Sequence, residues 1–514
     1  MRICATIAFV GCLITWPILF PINATGKGGG EGLNLLTFGN VETETWNGRN
    51  KLFAHALVGW IFYAFVMIMI CRESIFYINL RQAFLLSPIY SHRISSKTVL
   101  FVSVPEPYLH ESKLRKVFGK SVKRVWITRE TKKLDELVQE RDKVAFKLEG
   151  AETKLIKLAN KERLAQIKKN KGAAADEQQQ PVISHADAES GSLAARWVPT
   201  KKRPTHRTGK FGLYGPKVDT INWCRERLET LIPETNAAQQ TYRSGKAPGV
   251  GAVFIEFNEQ SDAQTAYQTL SHHQALHMSP KYIGMHPDEI VWASLKVSWW
   301  QRVLRRYVVV GIIAALILFW AIPVAGVGAI SNVPQLMKLS WLTWLEKVPS
   351  QIIGVISGLL PSVLLSVLMS LVPIIMRILA KLSGEPTLAR VELFTQNAYF
   401  AFQVIQVFLV VTLGSGAAAV AQDIADNPGG TPALLASKLP LASNFYISYF
   451  ILQGLTLASG VVSQVVGFIL FNLFYKFFTS TPRSMYNRWT NLSAISWGSV
   501  LPVYANIVVI GMYQ

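Results

Sequence analysis

The side chains with the most chemical capacity in this sequence stand inside its apolar stretches. Gln396, Gln403 and Gln406 follow one another at steps of seven and three, which puts them on one helical face. Tyr449, Gln453, Thr456, Gly460, Ser463 and Gly467 step by four, three, four, three and four. Ser496, Ser499 and Asn506 step by three and seven. Amides and hydroxyls of this kind are poor nucleophiles and poor bases. Their chemistry is to stand in for water around a polar or charged solute. Inside hydrocarbon such groups need partners in the protein or a wet path. Isolated interhelical hydrogen bonds account for any one stripe; three ordered stripes favour a shared path. The predicted lining residues are Gln396, Gln403, Gln406, Tyr449, Gln453, Thr456, Ser463, Ser496 and Asn506. Glu392 heads the first of these stretches and is a candidate cation entrance, or else a charge that complements a helix N-terminus. Gly460 and Gly467 are candidate gating hinges. Gly354, Gly358, Ser362, Ser366 and Ser370 form a ridge at every fourth position, which suits close helix packing.

These stripes require helices in a membrane, and the composition supplies them. Half of the 514 residues are apolar and only 16% are charged, against about 25% in a typical soluble domain. Seven apolar runs are long enough to cross a bilayer: roughly 3–22, 52–71, 307–331, 351–376, 392–420, 442–475 and 493–512. The sixth is long for one crossing and is expected to tilt, break or extend beyond the membrane. The net charge of +20 is concentrated between the runs. Residues 79–306 hold 38 Lys and Arg against 23 Asp and Glu; residues 307–514 hold nine against five. The basic segment therefore belongs on the cytosolic side. The loops 377–391 and 476–490, with Arg377, Lys381, Arg390, Lys476, Arg483 and Arg488, agree with that orientation. The domain plan is 1–78 with two spans, 79–306 cytosolic, and 307–514 with about five spans. Asn23-Ala24-Thr25 is a sequon placed outside, a possible glycosylation site close to the membrane.

Within the cytosolic segment, residues 97–105 and 250–257 read as buried strands, and 122–128 alternates as a half-buried one. Helices are expected at 110–119, 218–243 and 259–271, with a last strand near 289–295. A stripe of Leu134, Leu137, Val144, Leu148, Ala151, Leu155 and Leu158 predicts a helical arm or coiled-coil hairpin over about 131–170. Residues 171–210 read as a mobile linker. The order predicts a ferredoxin-like plait with a long insertion, an α+β domain of the RNA-recognition type. Ala252 and Val250 stand where that fold's stacking aromatic and basic residue would be, which weighs against nucleic acid as a partner. The alternative for the basic surface is anionic lipid. His272, His273, His277 and His286 cluster, but without the spacing of a zinc motif. Cys4, Cys12, Cys71 and Cys224 form no CxxC pair. No nucleotide loop, nucleophile elbow or zincin motif is present, so neither an enzyme nor a bound cofactor is expected.

Long strings of the sequence resemble one family closely. They include SKTVLFVSVPEPYL, KVDTINWCRERLETL, FWAIPVAGVGAISN, GEPTLARVELFTQNAYFAFQVIQVF and AISWGSVLPVYANI. Together they are similar to fungal members of the OSCA and transmembrane-63 family of calcium-permeable, stress-gated cation channels. The resemblance implies an anoctamin-like polytopic helical fold, eleven helices in full, and a cytosolic RNA-recognition-like domain. It implies gating by osmotic stress or membrane tension, permeating cations including calcium, homodimers in some members, and residence in the plasma membrane or an endomembrane. Relative to that pattern Met1 falls inside the second helix and Gln514 ends the seventh run here, so a chain shortened at both ends is expected. Two other functions fit the same sequence: a lipid scramblase using the same groove, and a membrane-tethered scaffold or RNA-binding adaptor.

Overall fold

The computed structural model describes residues 2–170, 197–209, 214–324, 350–413, 428–491 and 496–513. Its longer elements begin with helices α1 (Arg2–Ala24) and α2 (Trp46–Leu86), strand β1 (Thr98–Val102), helix α3 (Glu111–Phe118) and strand β2 (Val122–Arg129). Helix α4 (Lys132–Asn170), strands β3 (Thr205–Arg207) and β4 (Lys217–Asp219), and helix α5 (Thr220–Arg243) follow. Next come β5 (Gly249–Phe257), α6 (Gln260–Gln268) and β6 (Lys281–Ile283). The remainder is helical: α7 (Trp299–Phe319), α8 (Ser350–Leu382), α9 (Leu388–Phe402), α10 (Thr431–Ser463), α11 (Val465–Phe477), α12 (Pro482–Thr490) and α13 (Trp497–Tyr513). Two compact units result, one of residues 1–128, 250–457 and 495–514, the other of 129–249 and 458–494.

In the first unit a four-stranded sheet runs β2-β5-β1-β6. β1 is antiparallel to both neighbours, with Phe101 opposite Val253 and Leu100 opposite Tyr282. Its near-continuous apolar sequence means that both faces must be covered, and they are. Val99, Phe101, Val253 and Ile255 pack against Leu114 of α3 and Ala263 and Ala266 of α6. Leu100, Val102 and Ala252, on the other face, pack against Leu295, Ile290 and Met285. The expected strand near 289–295 is therefore a cover, not a strand. Pro287–Glu289 forms a 3-10 turn, Trp292–Leu295 a helical turn, and the edge strand is Lys281–Ile283. The β-type residues Ile290, Val291 and Trp292 gain more from lying on the sheet than from extending it.

Among the described residues four helical stretches are long and apolar enough to cross a membrane: Arg2–Ala24, Trp46–Leu86, Trp299–Val324 and Leu388–Leu413. Gly467–Phe477 and Trp497–Met512 are apolar but shorter. The predicted run 351–376 lies within α8, while parts of the third, fifth and seventh runs fall outside the described residues. Phe9, Trp16, Trp60, Met67 and Ile68 of α1 and α2 are exposed, an arrangement suited to lipid. α1 crosses close to α2 at Gly11, where a Cβ would lie 3.2 Å from the Phe62 ring.

In the second unit α4 and α5 pair antiparallel. Ile221 packs with Ala151 and Leu155, while Leu231 packs with Val144 and Leu137. Glu152–Arg225 at 3.0 Å and Glu140–Arg227 at 2.6 Å flank this seam. The predicted hairpin thus has α5 as its partner strand of coil. Residues 171–196 of the expected linker lie outside the described residues, but its end is ordered. Val198 is buried against α4, and Thr205–Arg207 pairs with Lys217–Asp219. The long sixth apolar run breaks between α10 and α11 at Gln464, which adopts a left-handed φ of 48°.

Candidate functional site

The polar residues of α9 do not form the plain stripe expected of them. The helix is α-helical to Phe402, π-helical over Gln403–Leu409, and α-helical again over Val410–Leu413. Wider turns carry successive side chains through a different angle, so Gln403 and Gln406 part company. Buried Gln403 donates from Nε2 to Tyr399 Oη at 2.7 Å. Gln406 donates to the carbonyl of Ile317 on α7. Gln396 is half-buried on the preceding α-helical turns.

The buried polar atoms of this unit without partners include those of three side chains on α13, on the continuation of α9 and at the end of α7. Asn506 of α13 is 0% exposed, and neither its Oδ1 nor its Nδ2 is hydrogen-bonded. Gln403 Oε1 and Trp320 Nε1 are also buried and unmatched. Trp320 stands edge-on to Phe402 at 5.4 Å, one residue from Gln403. An unmatched buried group costs about 1–3 kcal/mol unless water or an ion satisfies it. Around these positions the lining is apolar and tight, with Tyr399, Phe402, Met376 and Val372 in one cluster.

At the head of α9 the structure corrects the expectation for Glu392. Its carboxylate pairs with Arg377 of α8 at 2.6 Å. Arg377 also donates to Ser496, whose hydroxyl lies 3.4 Å from Glu392 Oε2. The candidate entrance carboxylate is thus paired with a guanidinium, and Ser496 joins this latch. Gly498 is needed beside it, because a Cβ there would lie 2.9 Å from the Glu392 carbonyl oxygen.

Tyr449 and Gln453 are half-buried and Thr456 is exposed. Tyr449 packs against a cluster of Phe408, Tyr446 and Ile510. One tie between the continuation of α9 and α10 was not visible in the pattern. Tyr446, wholly buried, shares a 2.7 Å hydrogen bond with Thr412 and donates to the Phe408 carbonyl at 2.8 Å. Its signal in the sequence is only a tyrosine one helical turn before Tyr449 and Phe450.

Ser463, Gly460 and Gly467 belong to the second unit. Gly460 and Gly467 are both helical with open space around them, and the helix breaks between them at Gln464. The bend therefore falls on neither predicted hinge. Asn23 is corrected too. It is buried, and its Nδ2 donates to the Leu36 carbonyl at 2.8 Å, which leaves that nitrogen no room for a glycan in this arrangement. The rings of His272 and His273 stack at 4.5 Å, and the His277 ring lies tilted 5.1 Å from that of His272. Among the described residues no group of three or more His, Cys, Asp or Glu could hold a metal ion.

Apolar helices with buried amides, joined to an α+β domain, define an integral membrane protein with a cytosolic domain. Three family models match it in series. "Late exocytosis, associated with Golgi transport" covers residues 1–73. "Cytosolic domain of 10TM putative phosphate transporter" covers 96–294, and "Calcium-dependent channel, 7TM region, putative phosphate" covers 305–513. The chain is 42% identical to the uncharacterized protein RSN1 of Saccharomyces cerevisiae, over 96% of this chain and 50% of that one. It is 36% identical to phosphate metabolism protein 7 of the same yeast, over 97% of this chain and 49% of that one. With hyperosmolality-gated Ca2+ permeable channel 3.1 of Arabidopsis thaliana it shares 28% identity over 56% of this chain and 40% of that one. The chain belongs to the OSCA and transmembrane-63 family, in its fungal branch. It spans about half the length of the fungal relatives named here.

Proposed function

We propose that the chain is the core of an osmotic-stress- or tension-gated cation channel permeable to calcium. The observation that carries this is the pair of buried, unmatched amides, Asn506 and Gln403 Oε1, in a bundle of membrane helices. Such groups are satisfied when water or a hydrated cation reaches them. The plant relatives named as Ca2+ permeable channels support the choice of solute. In this reading Tyr449, Gln453, Thr456 and Gln396 border the path, and the Arg377–Glu392–Ser496 latch keeps its cytosolic end shut. Tension favours whichever state has the larger in-plane area, and shifts the equilibrium only as far as that difference allows. Seven crossings, a homodimer and residence in the plasma membrane complete the proposal. It assigns the chain transport, with no catalysis.

The cytosolic domain is proposed to be an RNA-recognition-like plait retained for structure. The strand order β2-β5-β1-β6 supports the plait. The face that stacks bases in such domains carries Leu100, Val102 and Ala252 here, each 0% exposed beneath Leu295. That occlusion disfavours an RNA-binding adaptor.

The test is single-channel recording under stepped pressure in cells expressing the protein with Gln403→Leu or Asn506→Leu. Reduced unitary conductance is expected in both. Unchanged unitary current in both would remove these residues from a pore. A lipid scramblase is the second reading, favoured by the exposure of Thr456 on α10. Lipid exchange in liposomes without ion flux would select it.

A further inference from the structure

Three arginines meet at the junction between the cytosolic sheet and the membrane helices, with one carboxylate among them. Arg302 and Arg306 lie one turn apart on α7. Arg390 is in the first turn of α9, with its guanidinium 5.7 Å from the ring centre of Tyr282 on β6. Glu385, in the loop before α9, and Tyr282 both feel all three arginines. The loop is held in place by a hydrogen bond of 2.8 Å from Val291 N to the Pro386 carbonyl and by a bridge between Ile290 and Thr387. Arg302 packs beside Gly384, where a Cβ would lie 3.6 Å from its Cγ.

The charges here do not cancel. Three guanidinium groups face one carboxylate, and burial pushes Glu385 up toward its neutral form against their pull. Burial, and next Glu385, push the Tyr282 hydroxyl up to about 12, so it stays a neutral donor. Arg302 reaches only neutral acceptors, Ser103 Oγ at 3.3 Å and the Val297 carbonyl at 3.4 Å. Its Nε is buried and unmatched. Neither Arg306 nor Arg390 forms an ion pair with a described residue, and both are exposed. A surplus of planar, bidentate donors around a neutral hydroxyl is the chemistry of phosphate recognition.

The level of the cluster is also fixed. Trp299 and Trp300 are exposed immediately before it, and the apolar length of α7 begins immediately after it. Exposed tryptophans of this kind sit at headgroup depth. We infer that Arg302, Arg306 and Arg390, with Tyr282, form a binding site for an anionic phosphate group at the cytosolic membrane surface. The group is presented by a lipid headgroup or by free phosphate. The inference stands apart from the channel proposal, because its readout is binding and requires no current.

The experiment uses the full chain in nanodiscs of phosphatidylcholine, titrated with dioctanoyl phosphatidylinositol bisphosphate and, separately, with inorganic phosphate. Binding is expected to weaken roughly 10–30-fold in the R306Q/R390Q variant, the loss of two basic side chains near a lipid surface. Both residues are exposed, so the fold survives their neutralisation; R302Q is the secondary variant. Glu385→Gln is expected to tighten binding by about twofold or more, since it removes the opposing charge. Binding of the lipid alone assigns a headgroup. Binding of inorganic phosphate with the same sensitivity to R306Q/R390Q assigns free phosphate. Failure of both probes to bind, or equal binding by R306Q/R390Q and the unmodified chain, overturns the site.

Discussion

The sheet of the cytosolic domain and the helix bundle bury different kinds of polar group. The inner strand β1 presents only apolar residues to both of its packed faces, Val99 and Phe101 to one and Leu100 and Val102 to the other. Where the sheet does bury a charge, at Glu256, Lys123 stands 2.9 Å and Arg124 3.7 Å away, so opposite charges compensate it even though its Oε2 accepts no hydrogen bond. The bundle instead buries Asn506 and Gln403 with amide atoms left unmatched. A fold optimised only for stability removes such groups. In the bundle the uncompensated groups are neutral amides; in the sheet the buried carboxylate has cations beside it.

That contrast can be broken at the sheet first. Phe101→Ala should cost about 3–5 kcal/mol, because a fully buried aromatic leaves a cavity between helices and sheet. Chemical denaturation of the purified protein measures it; a cost below about 1 kcal/mol would mean that the sheet is not a tight core. Asn506→Leu should do the reverse in the bundle, raising stability by about 1–2 kcal/mol while lowering conductance. Marked destabilisation would show that Asn506 is already satisfied and would dissolve the contrast.

The latch sharpens the comparison. Arg377→Gln leaves Glu392 without its partner and should cost about 1–2 kcal/mol, given that both side chains are mostly buried. The gating threshold should fall with it, and adding Glu392→Gln should recover most of the loss. Pressure-activation curves of the single and double variants decide this. The smallest effect is expected at the break between α10 and α11. Gln464→Gly relieves a left-handed residue that is not glycine and should stabilise by about 0.5–1 kcal/mol, read as a small rise in the midpoint of thermal unfolding.

Much of this architecture was legible in residue order because local composition and packing agree. The run from Thr98 to Val102 is apolar at nearly every position, and a strand buried on both faces needs that. The arm over Lys132–Asn170 announced itself through leucines at heptad spacing. What escaped depends on contacts distant in sequence. Arg377 and Glu392 meet across the turn between α8 and α9. Ile290 and Trp292 have the residue types of a strand, but the sheet needed a lid more than a fifth member. The π-helical turn at Gln403–Leu409 has no composition of its own, so the stripe was read at the wrong angular step. Gln403 and Asn506 were identified as polar intrusions; which of their atoms lack partners is a property of packing alone.

The cover over the sheet has a practical corollary for anyone cutting this protein apart. Leu295 fills the hollow above Leu100, Val102 and Ala252, and it lies one residue past the cytosolic family match, which ends at 294. A fragment that stops there exposes a greasy patch on an otherwise soluble piece. One that continues through Val297, itself buried, keeps its own lid. The usable excision point is set by a side chain that belongs as much to the stalk of the next helix as to the domain it seals.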